Sequence, residues 1–158
     1  MSLEEFKKID ATELPIGKLI SIIAKNQSLY LNHNLEEFKI NASQLHFLFE
    51  ISHQKEINQD KIASRCSIDK GSVARSIKKL EDNGLVVRKV DDNNRRQNKV
   101  SLTPKGEKTL TESKKKLEEW EEYLFANNTI EKEDLQMLLK EIAVKSMELN
   151  EKEEEQNA

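Results

Sequence analysis

Residues 58–106 read NQDKIASRCSIDKGSVARSIKKLEDNGLVVRKVDDNNRRQNKVSLTPKG, and this stretch decides the fold. Asn58 can cap a short helix from Gln59 to about Cys66, with Asp60 complementing the positive end in its first turn. Ile62 and Ala63 are its inward residues, and Ser67-Ile68 makes a tight connection. Asp69 caps a second helix, Lys70 to Asp82, which Asn83-Gly84 ends with a left-handed stop. Leu85 to Val90 is rich in β-formers, Asp91-Asp92-Asn93-Asn94 is a turn signal, and Gln97 to Leu102 alternates. Helix, tight turn, helix and hairpin, in that order, predict a winged helix-turn-helix.

The second helix has two distinct faces. At about 100° per residue, Val73, Ile77 and Leu80 cluster and must face the core. Gly71, Ser72, Arg75, Lys78 and Lys79 fall on the other side. That side has hydroxyls and cations but no acid; Asp69, Glu81 and Asp82 stand only at the ends. A DNA major groove, about 12 Å wide, admits one such helix. The helix N-terminus is expected to offer N–H groups to phosphate. Arg75 can chelate guanine O6 and N7, and Ser72 can bond a base edge or a phosphate. Lys70, Ser72, Arg75, Ser76 and Lys79 are therefore the candidate major-groove contacts. Arg95 and Arg96, at the hairpin tip, suit a minor groove, whose negative potential attracts cations.

The surrounding composition agrees. The chain has 158 residues, 35% of them charged, with four Gly and two Pro, so long helices are expected. Residues 61–110 hold 13 Lys and Arg against six Asp and Glu; this +7 segment sits inside a chain of net charge −3. Attraction to a polyanion needs only such a local patch, because charges beyond about 10 Å are screened at physiological salt. A charge run alone is equally well a solvated face; the helix order gives this one its meaning.

Flanking segments extend the helical reading. Residues 15–35 form a long helix with apolar residues on more than one side, Pro15 at its first turn. Ser43 caps a helix to about His53. Thr103 caps a long helix starting at Pro104, with a stripe of Leu110, Leu117, Trp120 and Leu124. Asn127-Asn128 breaks it, and Thr129 caps a last helix whose Leu135, Leu138, Leu139, Ile142 and Leu149 share a face. The acidic end, 151–158, lacks large apolar residues and reads as a frayed or disordered tail. The terminal helices carry more apolar faces than a small winged unit can cover, which favours a dimer.

The stretch 58–106 resembles the DNA-binding core of the MarR family of transcriptional regulators. The specific parts are Asp69-Lys-Gly-Ser-Val-Ala-Arg75, Leu80-Glu-Asp-Asn-Gly-Leu85, the Asp91 to Arg96 tip and Leu102-Thr-Pro-Lys-Gly106. With the flanking helices the resemblance covers residues 12–147. It implies a mostly α fold with a small β-wing: a helix-turn-helix at 58–81, a wing at 85–102, and dimerisation helices at 12–35 and 104–150. It also implies a homodimer on a pseudo-palindromic operator, acting as a repressor released by a small-molecule effector such as a phenolic anion. The family's wing commonly reads Asp-x-Arg-Asp-x-Arg, whereas Asn93 and Asn94 stand here where Arg and Asp are usual. Arg96 matches the final Arg and takes its minor-groove role by resemblance.

Other chemistries find no pattern. No apolar run approaches the ~18 residues of a bilayer span, and the start, Met-Ser-Leu-Glu-Glu, has no secretory pattern. A lone cysteine, Cys66, suits a reducing cytoplasm and reads as a small buried hydrophobe rather than a redox sensor. His33, His46 and His53 lack metal-ligand spacing, and no phosphate loop or nucleophile elbow occurs. The expectation is a non-enzymatic protein without metal or cofactor. The alternative reading is a winged-helix protein-interaction module that docks an acidic partner through the same basic face. Arg95-Arg96 beside a helix without outward acids favours nucleic acid.

Overall fold

A computed structural model describes residues 2–91, 94–127 and 129–156, without the side chains of 91–97 and Gln156. It contains two compact units, 1–118 and 119–158.

The first unit starts with a short helix α1 (Leu3–Phe6), capped reciprocally by Ser2 and Glu5. A one-turn helix at Ala11–Glu13 follows, then α2 (Ile16–Asn34), with Pro15 at its N-cap. Helix α3 (Ala42–Gln54) begins two residues earlier than the sequence suggests. Asn41, not Ser43, is its cap: the Asn41 side chain accepts from the Gln44 N–H, and the Gln44 side chain accepts from the Asn41 N–H. Asparagine and serine both cap helices, but Asn41 has Gln three residues on to close the box, where Ser43 has His46.

A strand too short to show periodicity, β1 (Ile57–Asn58), leads into α4 (Gln59–Cys66). Asn58 caps α4 by accepting the Lys61 N–H at 2.8 Å. Ser67 takes left-handed backbone (φ 52°) to make the tight turn. Helix α5 (Lys70–Asp82) follows, and Gly84 (φ 71°) lets the chain reverse after it. Strands β2 (Val86–Asp91) and β3 (Asn94–Leu102) form the wing, longer at its tip than the alternation suggests. The sheet order is β1-β3-β2, antiparallel, with a register irregularity at Val90–Asp91. Asp92 and Asn93 of the predicted turn lie outside the described residues.

One core joins these elements. Leu31, Leu35, Leu45, Phe47, Leu48, Ile51, Ile62, Val73, Ile77, Leu80, Leu85, Val86 and Val100 are almost fully buried. Helix α3 is sandwiched as its two apolar sides require: Leu45 and Leu48 on one side and Phe47 and Ile51 on the other are all buried. Helix α5 buries its predicted face, Val73, Ile77 and Leu80, completely. Each such side chain contributes roughly 1.5–3 kcal/mol relative to exposure, so this face holds the opposite one in a fixed orientation.

Helix α6 (Pro104–Phe125) is capped as its sequence suggests. Thr103 Oγ1 accepts the Gly106 N–H at 3.0 Å and donates to the Gly84 carbonyl at 2.6 Å. Lys105 Nζ donates to the Asn83 carbonyl at 2.7 Å. Gly106 lies directly on the Leu85 backbone, so Thr-Pro-Lys-Gly is a clasp fastening the wing's base to the end of α5.

The second unit contains α7 (Lys132–Gln156). Its first helical bond, Leu135 N–H to the Glu131 carbonyl, makes Glu131 and not Thr129 the cap. Asn128 lies outside the described residues. The acidic end is helical to Gln156 instead of a frayed tail. Glu, Lys and Gln are good helix formers, so a composition without apolar residues does not oppose a helix already nucleated upstream. Lys132 pairs with Glu121, and Lys145 with Glu141 at 2.6 Å.

Candidate nucleic-acid interface

The candidate surface is the face of α5 opposite its buried stripe. Lys70, Arg75, Lys78 and Lys79 are exposed, and Ser72 and Ser76 are half-buried. Arg95 and Arg96 belong by backbone to β3, and their side chains lie outside the described residues.

The amino end of α5 departs from the sequence expectation. Its Ser72 N–H does not stand open to phosphate: Asp69 accepts it at 2.8 Å. The cap's own carboxylate occupies the ground an anion would take. Hydrogen bonds from the Ser72 hydroxyl, then from its N–H, hold the Asp69 carboxyl below the usual carboxylate range. Arg75, one turn on, reaches back and donates from its guanidinium to Ser72 Oγ at 2.8 Å. Of the proposed contacts, Ser72 and Arg75 are thus joined directly.

Cations elsewhere on this surface have protein partners that spacing alone does not reveal. Lys70 Nζ is 2.9 Å from Asp60 Oδ2, tying the amino ends of α4 and α5 together. Lys78 pairs with Asp82 one turn on, at 2.6 Å. Arg88 of β2 donates twice to Glu81, at 3.0 and 2.5 Å, fixing the wing to the last turn of α5. The Arg88 bonds hold the Glu81 carboxyl below its usual range. Two of the acids that keep the outer face clear by standing at its ends therefore serve as counter-charges. The Lys78–Asp82 pair follows the i, i+4 rule and could be read from sequence; Arg88–Glu81 crosses elements and could not.

Two hollows flank the helix-turn-helix. A groove of about 490 Å³ runs beside the carboxyl end of α5, lined among others by Glu36, Lys39, Gln44, Lys79 and Asp82. Its charges are mixed. A smaller hollow of about 310 Å³ is lined by His46, Phe49, Glu50, Arg65 and Cys66, with Glu50 and Arg65 paired. Burial pushes the Cys66 thiol up, and Glu50 adds to this against the opposing effect of Arg65.

The MarR family model matches residues 40–97, which span α3 to the wing. YwoH of Bacillus subtilis (strain 168), an uncharacterized HTH-type transcriptional regulator, is 33% identical over 112 residues, covering 71% of this chain and 78% of its own. The crystal structure of a MarR transcriptional regulator from Methanosarcina mazei Go1 is 32% identical, with a TM-score of 0.79 over 85% of this chain and 97% of that one. The chain belongs to the MarR family. A mutant MarR from E. coli complexed with operator DNA is 25% identical, with a TM-score of 0.71 over 85% of this chain and 99% of that one. As a MarR protein the chain is a DNA-binding transcriptional regulator with a winged helix, and not an enzyme. Among the described residues, no helix of this MarR protein is long and apolar enough to cross a membrane.

Proposed function

We propose that this MarR protein is a homodimeric, cytoplasmic repressor that reads a pseudo-palindromic operator and leaves it when a small anionic effector, such as a phenolic anion, binds. The observation that carries the DNA reading is the two-faced α5. Its inner side is fixed by three fully buried residues, and its outer side presents Lys70, Ser72, Arg75, Ser76 and Lys79. In this reading Arg75 reads a base, Lys70 and Lys79 meet phosphates, and Arg95 and Arg96 serve the minor groove. The operator complex of the E. coli relative supports the same mode of action.

Dimerisation is supported by apolar surface left uncovered in each unit. Helix α2 exposes Ile16, Ile20, Ile23 and Leu29; α7 exposes Met137, Leu138, Leu139, Ile142, Val144, Met147 and Leu149. Apolar surface on that scale marks an interaction site. Two copies about a two-fold axis would set their α5 helices one DNA turn apart, about 34–36 Å.

Selection of bound duplexes from a random pool at about 150 mM salt, which suppresses nonspecific phosphate binding, tests the reading. An inverted repeat with half-sites one turn apart is expected, retained by two copies of the chain and released by a phenolic anion. A folded protein that selects no sequence would overturn the operator reading and favour docking to an acidic protein. A single copy per site would overturn the dimer.

A further inference from the structure

Arg75, as a base-reading residue, has a long, flexible side chain that must be aimed. An arginine gives up rotamer freedom when it is fixed. A side chain held in place before DNA arrives has already met part of that cost.

Three observations bear on it. The Arg75 guanidinium donates to Ser72 Oγ at 2.8 Å, across one turn of α5 and towards its amino end. Ser72 is itself held at Asp69, whose carboxylate accepts the Ser72 N–H at 2.8 Å. Gly71 lies beside them: a Cβ there would stand 3.2 Å from Asp69 Oδ1 and 3.4 Å from an Arg75 terminal nitrogen. Arg75, Ser72 and Asp69 stand in line: the guanidinium gives to the Ser72 hydroxyl, and the Ser72 N–H gives to the carboxylate. The amino end of a recognition helix is also the end whose side chains contact base edges.

We propose that Ser72 is a positioning residue: anchored on Asp69, it holds the Arg75 guanidinium over the amino end of α5, ready for a guanine edge, and does not itself contact DNA. This rests on the reading of Arg75 as a base contact. Only one terminal nitrogen is engaged by Ser72, and the remaining N–H groups of the fork stay available for O6 and N7. A side chain at Gly71 would press on the Asp69 carboxylate, at 3.2 Å, and only touch the guanidinium.

The experiment is a double-mutant cycle on the selected operator, with Ser72→Ala, Arg75→Ala and the pair together. Affinity is measured for that operator and for one with the guanine changed, and circular dichroism melts confirm folding. Arg75→Ala is expected to erase discrimination at that base pair, about 10-fold or more for a bidentate contact. Ser72→Ala should lose part of the same discrimination, leave the salt slope unchanged, and cost nothing further when Arg75 is already Ala. Ser72→Thr, which keeps the hydroxyl, should restore it. A Ser72→Ala loss that persists in the Arg75→Ala background would overturn positioning and make Ser72 a direct contact. Normal discrimination in Ser72→Ala, with Arg75→Ala impaired, would overturn positioning and leave the Arg75 reading standing. An unimpaired Arg75→Ala would sink both.

Discussion

Gly106→Ala is a small substitution with a large expected effect. A Cβ at Gly106 would lie 2.0 Å from the Leu85 carbonyl oxygen and 3.0 Å from its carbon. Ordinary contact begins near 3.4 Å, so α6 and the α5–β2 junction must part by about 1.4 Å. Backbone lies on both sides, so no side chain can swing away. The Thr103 N–H bond to the same Leu85 oxygen is 3.0 Å long and cannot stretch that far. Thr103 Oγ1 to Gly84 and Lys105 Nζ to Asn83 span the same seam. Overpacking costs about 1–3 kcal/mol, and each hydrogen bond lost adds about 1 kcal/mol. The gain in helix propensity, up to about 1 kcal/mol, offsets some of this. The net loss is about 2–4 kcal/mol, or a fall in Tm of about 5–15 °C for a chain of this length. Thermal melts at one fixed protein concentration read it. Gly17→Ala is the control: nothing lies within 4 Å of its added Cβ, so no loss is expected. A Gly106→Ala protein melting within 2 °C of the parent would refute the clasp.

Further outcomes follow from the same geometry. Lys79→Ala should weaken binding to all duplexes alike and flatten the salt slope by about one unit; an unchanged slope would remove Lys79 from the phosphate contacts. The Glu81 carboxyl is lowered by its Arg88 bonds, so its stabilisation is present above the unfolded value, about 4.3, and is lost as pH falls through the folded one. Glu81→Gln should therefore narrow the stability gap to the parent as pH drops from 6 towards 3, the pair contributing up to about 1 kcal/mol because it is partly exposed; a gap independent of pH would contradict the assignment. Ser113 Oγ is the buried side-chain atom without a hydrogen-bond partner among the described residues, so Ser113→Ala should leave stability unchanged or raise it, and a loss above about 1 kcal/mol would show that a partner exists. The raised Cys66 thiol should be alkylated more slowly at pH 7.5 than a free cysteine, and an equal or faster rate would revive a redox role.

The helix-turn-helix was legible because its signals agree. Asn58 and Asp69 each precede an amphipathic run, and Val73, Ile77 and Leu80 can share a face only in a helix. At the start of α3 the sequence reading takes Ser43 as the cap, whereas the deciding contact is the reciprocal bond between Asn41 and Gln44, three residues on. Strand β1 has two residues and exists only because β3 pairs with it, so no local pattern announces it. The acidic end of α7 shows the limit of composition, since the same Glu-rich run suits a solvated coil and a solvated helix. Within the candidate interface, exposure and face followed from spacing. The counter-charges Asp60 and Glu81 did not, because they come from contacts between separate elements. The Ser72–Arg75 bond was within reach of the sequence, as an i, i+3 pair of donor and acceptor on one helix face.

Protection of guanine N7 from methylation, on the selected operator, tests most directly the claim that the outer face of α5 reads DNA in the major groove. The account predicts one guanine protected in each half-site by the parent protein and exposed again with Arg75→Ala, while protection of the sugar-phosphate backbone persists. Guanines equally protected by both proteins, or protected by neither while the operator stays bound, would contradict it.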